Sequence, residues 1–147
     1  MAKMVFGLEQ VLMYRKEMEK VHRMAFSNAQ VEFNGARERL NTEESRVDTL
    51  NTELIKRQRE GITAMDMQIY SDFFRRKVVD INQHRKETAT LNDRMTEKRE
   101  VLVEAAKDKK ILETLKEKKV LAHRQELFNK EQIFLEEIAL RKKGHGK

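Results

Sequence analysis

An apolar residue that returns every seven positions constrains this chain more than any other feature. Val5, Leu12, Phe26, Phe33, Leu40, Val47 and Leu54 share one heptad column, interrupted by Glu19. Leu8, Ala29, Ala36 and Leu50 stand three residues after members of that column, where Arg15, His22, Glu43 and Arg57 interrupt the pattern. A 3–4 spacing kept over so many turns belongs to a helix that buries a narrow seam against another helix. The polar interruptions require a partner helix that tolerates polar layers. Backbone chemistry does not oppose this reading: there is no proline, where average usage would give about seven. Gly35 costs about 1 kcal/mol relative to alanine in mid-helix, but the repeat passes through it in phase, so the helix is read as continuous.

The repeat stops at Glu60, and the next residues read as a turn. Gly61 can adopt the left-handed conformation that follows a helix C-terminus. Thr63 suits an N-cap with Asp66 three residues on, and Ile62 with Met67 suits a hydrophobic staple. Beyond it a second helix is predicted to about Lys143. Phe74, Ile81, Thr88, Met95 and Leu102 share one phase, and Leu91, Ala105 and Leu112 follow at plus three. Leu121, Phe128 and Leu135 recur in a shifted phase, with Ile138 three beyond. Such a shift would unwind or bend the coil. The pairs Glu19/Arg23, Glu53/Arg57, Asp72/Arg76, Glu126/Lys130 and Glu137/Arg141 have the favourable i,i+4 order. The expected fold class is therefore all-α: one long antiparallel two-helix coiled coil, with a first arm over about 1–60, a turn at 61–62, a second arm over 63–143 and a flexible tail at 144–147. At 1.5 Å per residue the arms measure roughly 90 and 120 Å, so part of the second arm must be single, bent or paired with something else.

Composition narrows the function. Charged residues make up 38% and aromatics 6% of the 147 residues, which is poor material for a globular core but suits long helices with one buried stripe. The absence of cysteine rules out disulfides and thiolate metal sites and fits a reducing compartment. No apolar run approaches the roughly 18 residues of a membrane span, and the N-terminus lacks the uninterrupted apolar stretch of a secretory signal. A soluble, cytoplasmic protein is expected. His22, His84, His123 and His145 have no metal-ligand spacing, no glycine-rich phosphate loop occurs, and a pair of helices offers no water-excluding pocket. The chain is read as no enzyme, with no cofactor and no metal.

Two segments could bind something. Lys107, Lys109, Lys110, Lys116, Lys118 and Lys119 could follow phosphates, and the net charge is +6. A basic coiled-coil adaptor for nucleic acid or ribosomes is thus the alternative reading, disfavoured because Asp108, Glu113 and Glu117 lie among the lysines and no aromatic is present there for stacking. The stretch IYSDFFRRKVVDINQHRKE supplies more apolar width than a seam needs. It packs against the first arm near the turn or forms an exposed protein-binding patch. Phe74, in phase with Ile81, is expected to face the first arm, and Phe73, one residue off that phase, to be exposed.

The sequence resembles the FliJ family of bacterial flagellar export proteins. FGLEQVLMYRKEMEK is similar to the family's opening: an aromatic, then Leu-x-x-Val-Leu-x-x-Arg followed by glutamates. Gly61 with YSDFFRRKVVDINQHR resembles its middle. KREVLVEAAKDKKILETLKEKK, followed by EQIFLEEIALRK, resembles its C-terminal patterns. The likeness covers almost the whole chain in order.

The resemblance implies an antiparallel two-helix coiled coil similar to the central stalk of rotary ATPases. It implies a non-enzymatic part of the flagellar type III export apparatus, coupling a hexameric export ATPase to the cytoplasmic domain of the membrane export gate and assisting export chaperones. It places the protein in the cytoplasm, peripherally associated with the inner membrane at the flagellar base. The family's two chain ends enter the ATPase pore, which points to Val5, Phe6, Leu8, Val11, Leu12 and Arg15 with Leu135 and Ile138. Arg141, Lys142 and Lys143 would make that end basic. The gate-binding segment would comprise Tyr70, Phe73, Phe74, Lys77, Asp80, Ile81 and His84. Lys77 and Asp80 stand where the resemblance leads one to expect apolar and small residues.

Overall fold

The structure, a computed structural model, describes residues 4–145. Two α-helices, α1 (Glu9–Glu60) and α2 (Ala64–His145), pack against each other as a helical hairpin, with no strand among the described residues. Gly61, Ile62 and Thr63 connect them. Gly61 adopts a φ of 101°, a conformation that residues with a Cβ rarely take. The Thr63 hydroxyl accepts a hydrogen bond from the Asp66 amide at 3.2 Å, which satisfies one of the free N–H groups at the start of α2.

The chain divides into two compact units: Val21–Val103, here the turn unit, and the end unit formed by residues up to Lys20 with those from Glu104. In the turn unit the heptad columns meet. Ala29, Ala36, Leu54 and Ile81 are buried, and Phe26, Phe33, Leu40, Val47, Phe74, Leu91, Met95 and Leu102 are half-buried. Cross-helix pairs run in opposite chain directions, from Tyr70 with Glu53 near the turn to Arg94 with Glu32 farther from it, as antiparallel packing requires.

In the end unit, α1 starts at Glu9, later than the repeat. The Glu9 amide donates to the Phe6 carbonyl at 3.1 Å, forming a turn that includes Gly7 and Leu8. This turn carries Val5 off the seam, where it is 77% exposed, and buries Phe6 in its stead. The Lys119 ammonium lies 6.0 Å from the centre of the Phe6 ring. Leu12 is the most deeply buried large side chain, at 1% exposure.

Helix α2 is unbroken from Ala64 to His145 through the expected phase shift. The seam keeps its own phase through Lys109, Leu112 and Lys116, all half-buried, and Leu121, Phe128 and Leu135 simply leave it and stay exposed. The tail expected to fray after Lys143 is helical through His145; Gly146 and Lys147 lie outside the described residues. The Glu53–Arg57 and Glu126–Lys130 pairs form at 3.8 and 3.6 Å, whereas Asp72 accepts a hydrogen bond from Gln68.

Two substitutions probe this packing by urea denaturation followed by circular dichroism. Leu12→Ala opens a cavity at a fully buried position and is expected to cost about 2–4 kcal/mol. Gly35→Ala adds a Cβ that meets nothing within 4 Å and is expected to stabilise the hairpin by about 0.5–1 kcal/mol.

Candidate interaction surfaces

In the turn unit, polar side chains enter the seam as matched pairs. Lys77 Nζ donates to Glu43 Oε2 at 2.6 Å, and both side chains are largely buried. Arg46 donates to the other carboxylate oxygen of Glu43 at 3.0 Å. The Lys77 hydrogen bond, reinforced by the charges of Lys77, Arg46 and His84, holds the Glu43 carboxyl below the ordinary glutamate range. Lys77 also lies 5.6 Å from the centre of the Phe73 ring, within cation–π range. Phe73 and Phe74 meet edge to face with centroids 6.2 Å apart.

This geometry corrects the expectation for Phe73. The ring is not displayed outward: it is half-buried and lines a groove with Thr42, Ser45, Arg46, Thr49 and Leu50 of α1. Lying one step off the seam, a ring of this size covers the flank of the opposing helix instead of facing water, and Lys77 fixes it there. Of the other gate candidates, Tyr70, Phe74, Lys77 and His84 are half-buried, Ile81 is buried and Asp80 is exposed. Tyr70 reaches Glu53 at 3.5 Å and lies under Arg57. His84 Nδ1 is 4.0 Å from Glu87. The segment's outward apolar surface is supplied by Ile69, Val78 and Val79, which were not among the candidates.

In the end unit, Lys116 binds Glu9 at 2.8 Å, Lys109 approaches the buried Glu19 at 3.6 Å, and Arg15 donates to Asp108 at 3.2 Å. These contacts set the start of α1 beside Asp108–Leu121 of α2; Leu12 and Lys16 share a groove with Glu113, Val120, Leu121 and Arg124. The candidates named for the ATPase therefore fall into two groups that are not brought together. Phe6 and Leu12 are buried against α2, Leu8, Val11 and Val5 are exposed, and Arg15 is engaged by Asp108. Leu135 and Ile138 lie roughly 24 and 28 Å beyond Lys119 and are exposed with Leu127, Phe128 and Phe134. The expected seam between Leu12 and Leu135 is not made, because both helices rise equally per residue from the turn and α1 runs out first.

The lysine cluster is mostly committed. Lys109 and Lys116 are cross-helix partners, Lys107 contacts Glu104 at 3.5 Å, and Lys119 covers Phe6. Among the described residues no group of three histidines or carboxylates could hold a metal, and no helix is long and apolar enough to cross a membrane.

A helical hairpin whose polar layers are cross-paired, and which leaves an apolar helical face open beyond its paired region, has the build of a coiled coil. The family model described as "Flagellar FliJ protein" matches residues 4–146. The chain belongs to that family and is a component of the flagellar export apparatus. No curated protein and no solved structure matches it.

Glu43 makes the hairpin acid-sensitive. Its folded pKa is depressed, so its stabilising contribution is complete above the ordinary glutamate pKa and is lost as pH falls through the depressed value. Thermal midpoints measured from neutral pH downward should fall less steeply for Glu43→Gln than for the unmodified chain, with the two curves closest at the acid end.

Proposed function

We propose that this protein is a stalk-like, non-enzymatic coupling element of the type III flagellar export apparatus. The open C-terminal part of α2 engages the hexameric export ATPase. The 70–84 segment, Tyr70, Phe73, Phe74, Lys77, Asp80, Ile81 and His84, engages the cytoplasmic domain of the membrane export gate. The protein works at the cytoplasmic face of the inner membrane and assists export chaperones. The observation that carries the ATPase half is the exposed apolar face of α2 at Leu127, Phe128, Phe134, Leu135 and Ile138, beyond the reach of α1. A helix with one open apolar stripe gains by burying it in a partner, and Arg141, Lys142 and Lys143 add steering toward an acidic ring. Val5, Leu8 and Val11 extend apolar surface at the start of α1, and Arg15, tied to Asp108, supports it.

Leu135→Asp/Ile138→Asp tests this reading, since both residues are exposed and their replacement spares the seam. Each buried aliphatic side chain is worth about 1.5–3 kcal/mol, so the pair should weaken ATPase binding about tenfold or more and leave gate binding unchanged. Phe73→Ala should do the reverse. Equal loss of both partners in both variants, with helicity intact by circular dichroism, would remove the case for two sites.

A further inference from the structure

The turn unit has an open groove on each flank of its seam, and the two differ in chemistry. One flank, lined by Val47, Val78 and Ile81 with Glu44, Asp48, Asn82 and Arg85, carries two carboxylates, and Arg85 donates to Glu44 through two nitrogens at 3.2 and 3.1 Å. The other is lined by Phe73 and Leu50 with Thr42, Ser45, Thr49 and Arg46, and contains no carboxylate among its lining residues. There Phe73 and Leu50 form an apolar wall. Thr42, Ser45 and Thr49, at i, i+3 and i+7 on α1, keep that side low enough for a chain to approach the helix. Arg46 stands at the rim with its side chain 67% exposed and one carboxylate oxygen of Glu43 as its neighbour. Lys77, gripped by Glu43, keeps Phe73 in place.

We infer that the gate docks in this groove, so that α1 supplies half of a contact which the sequence assigns to α2 alone. The occupant is a protein segment presenting an apolar side chain to Phe73 and Leu50 and an acidic side chain to Arg46. Charge decides the flank: the cationic rim attracts an acidic segment, while the opposite groove would set Glu44 and Asp48 against it. The inference rests on the reading that the 70–84 segment binds the gate. It also accounts for Lys77 at a position where an apolar residue was expected: the lysine stem and ammonium brace the Phe73 wall.

Calorimetric titration of the full chain with the cytoplasmic domain of the export gate tests it. Ser45→Arg fills the groove from an exposed helical position, and Arg46→Glu reverses its rim charge. Each is expected to weaken binding about tenfold or more with helicity retained, the Arg46→Glu midpoint falling slightly because Glu43 loses an ion-pair partner. Asn82→Arg, in the opposite groove, is expected to stay within about twofold of the unmodified chain. If Ser45→Arg and Arg46→Glu bind like the unmodified chain while Phe73→Ala does not, the groove is overturned and gate binding by the 70–84 segment stands. If Asn82→Arg is the variant that weakens binding, the occupant lies on the other flank and the inference is wrong. If the unmodified chain does not bind the gate domain, the underlying reading falls, and this inference with it.

Discussion

Matched charges across a mostly apolar seam hold the two helices in one register, and the rest of the structure depends on it. Apolar columns repeating every seven residues cannot by themselves distinguish one register from another displaced by a heptad. The polar layers can. Displacing α2 by seven residues in one direction would keep a lysine, Lys109, beside Glu9 but set Glu43 against Tyr70 and the buried Glu19 against Leu102. The other direction would keep Lys116 beside Glu19 but set Arg15 against Leu115. A charge left in the seam without its partner is destabilising. The observed register instead joins Glu43 to Lys77, Glu19 to Lys109, Arg15 to Asp108 and Glu9 to Lys116. These pairs do not need to add much net stability to do this; they make the alternatives worse.

The same pairs explain what could be read in the sequence and what could not. The hairpin was legible because a seven-residue period, Gly61 and the Thr63 cap are local signals. Arg15, Glu19 and Glu43 looked like flaws in their columns, because a flaw becomes a partner only when the opposite helix is in place. The lysine cluster was ambiguous for the same reason: Lys109 and Lys116 are seam residues on a helix whose seam phase is not the phase of its most apolar residues. The Phe73 orientation was missed because a heptad column says which residues enter a seam, not whether a large ring beside it turns outward or folds across the facing helix. The missing information was the cation–carboxylate bridge from Lys77 to Glu43, a contact between residues far apart in sequence.

The gate candidates illustrate the same limit. A list drawn from α2 alone contains residues that mostly lean on α1: Ile81 is buried and Tyr70, Phe74 and His84 are half-buried. Side chains already packed inside a hairpin can support a contact more readily than make one. What a partner can reach is the edge of that packing, where Phe73 meets the hydroxyls of α1, and the outward residues Ile69, Val78 and Val79.

The register also decides the fate of the C-terminal part of α2. Because Phe6 and Glu9 are tied to Lys119 and Lys116, α1 begins short of Leu127 and leaves Leu121, Leu127, Phe128, Phe134, Leu135 and Ile138 exposed. A second copy lying parallel and in register would cover it badly. Arg124 and Glu131 stand in the same heptad column as Ile138, within that stripe. In a parallel, in-register pair Arg124 would meet Arg124 and Glu131 would meet Glu131, like charges at the centre of the contact. A partner of different sequence can offer an acid to Arg124 and a base to Glu131 while burying the apolar residues between them. The two charges therefore act against parallel, in-register self-association.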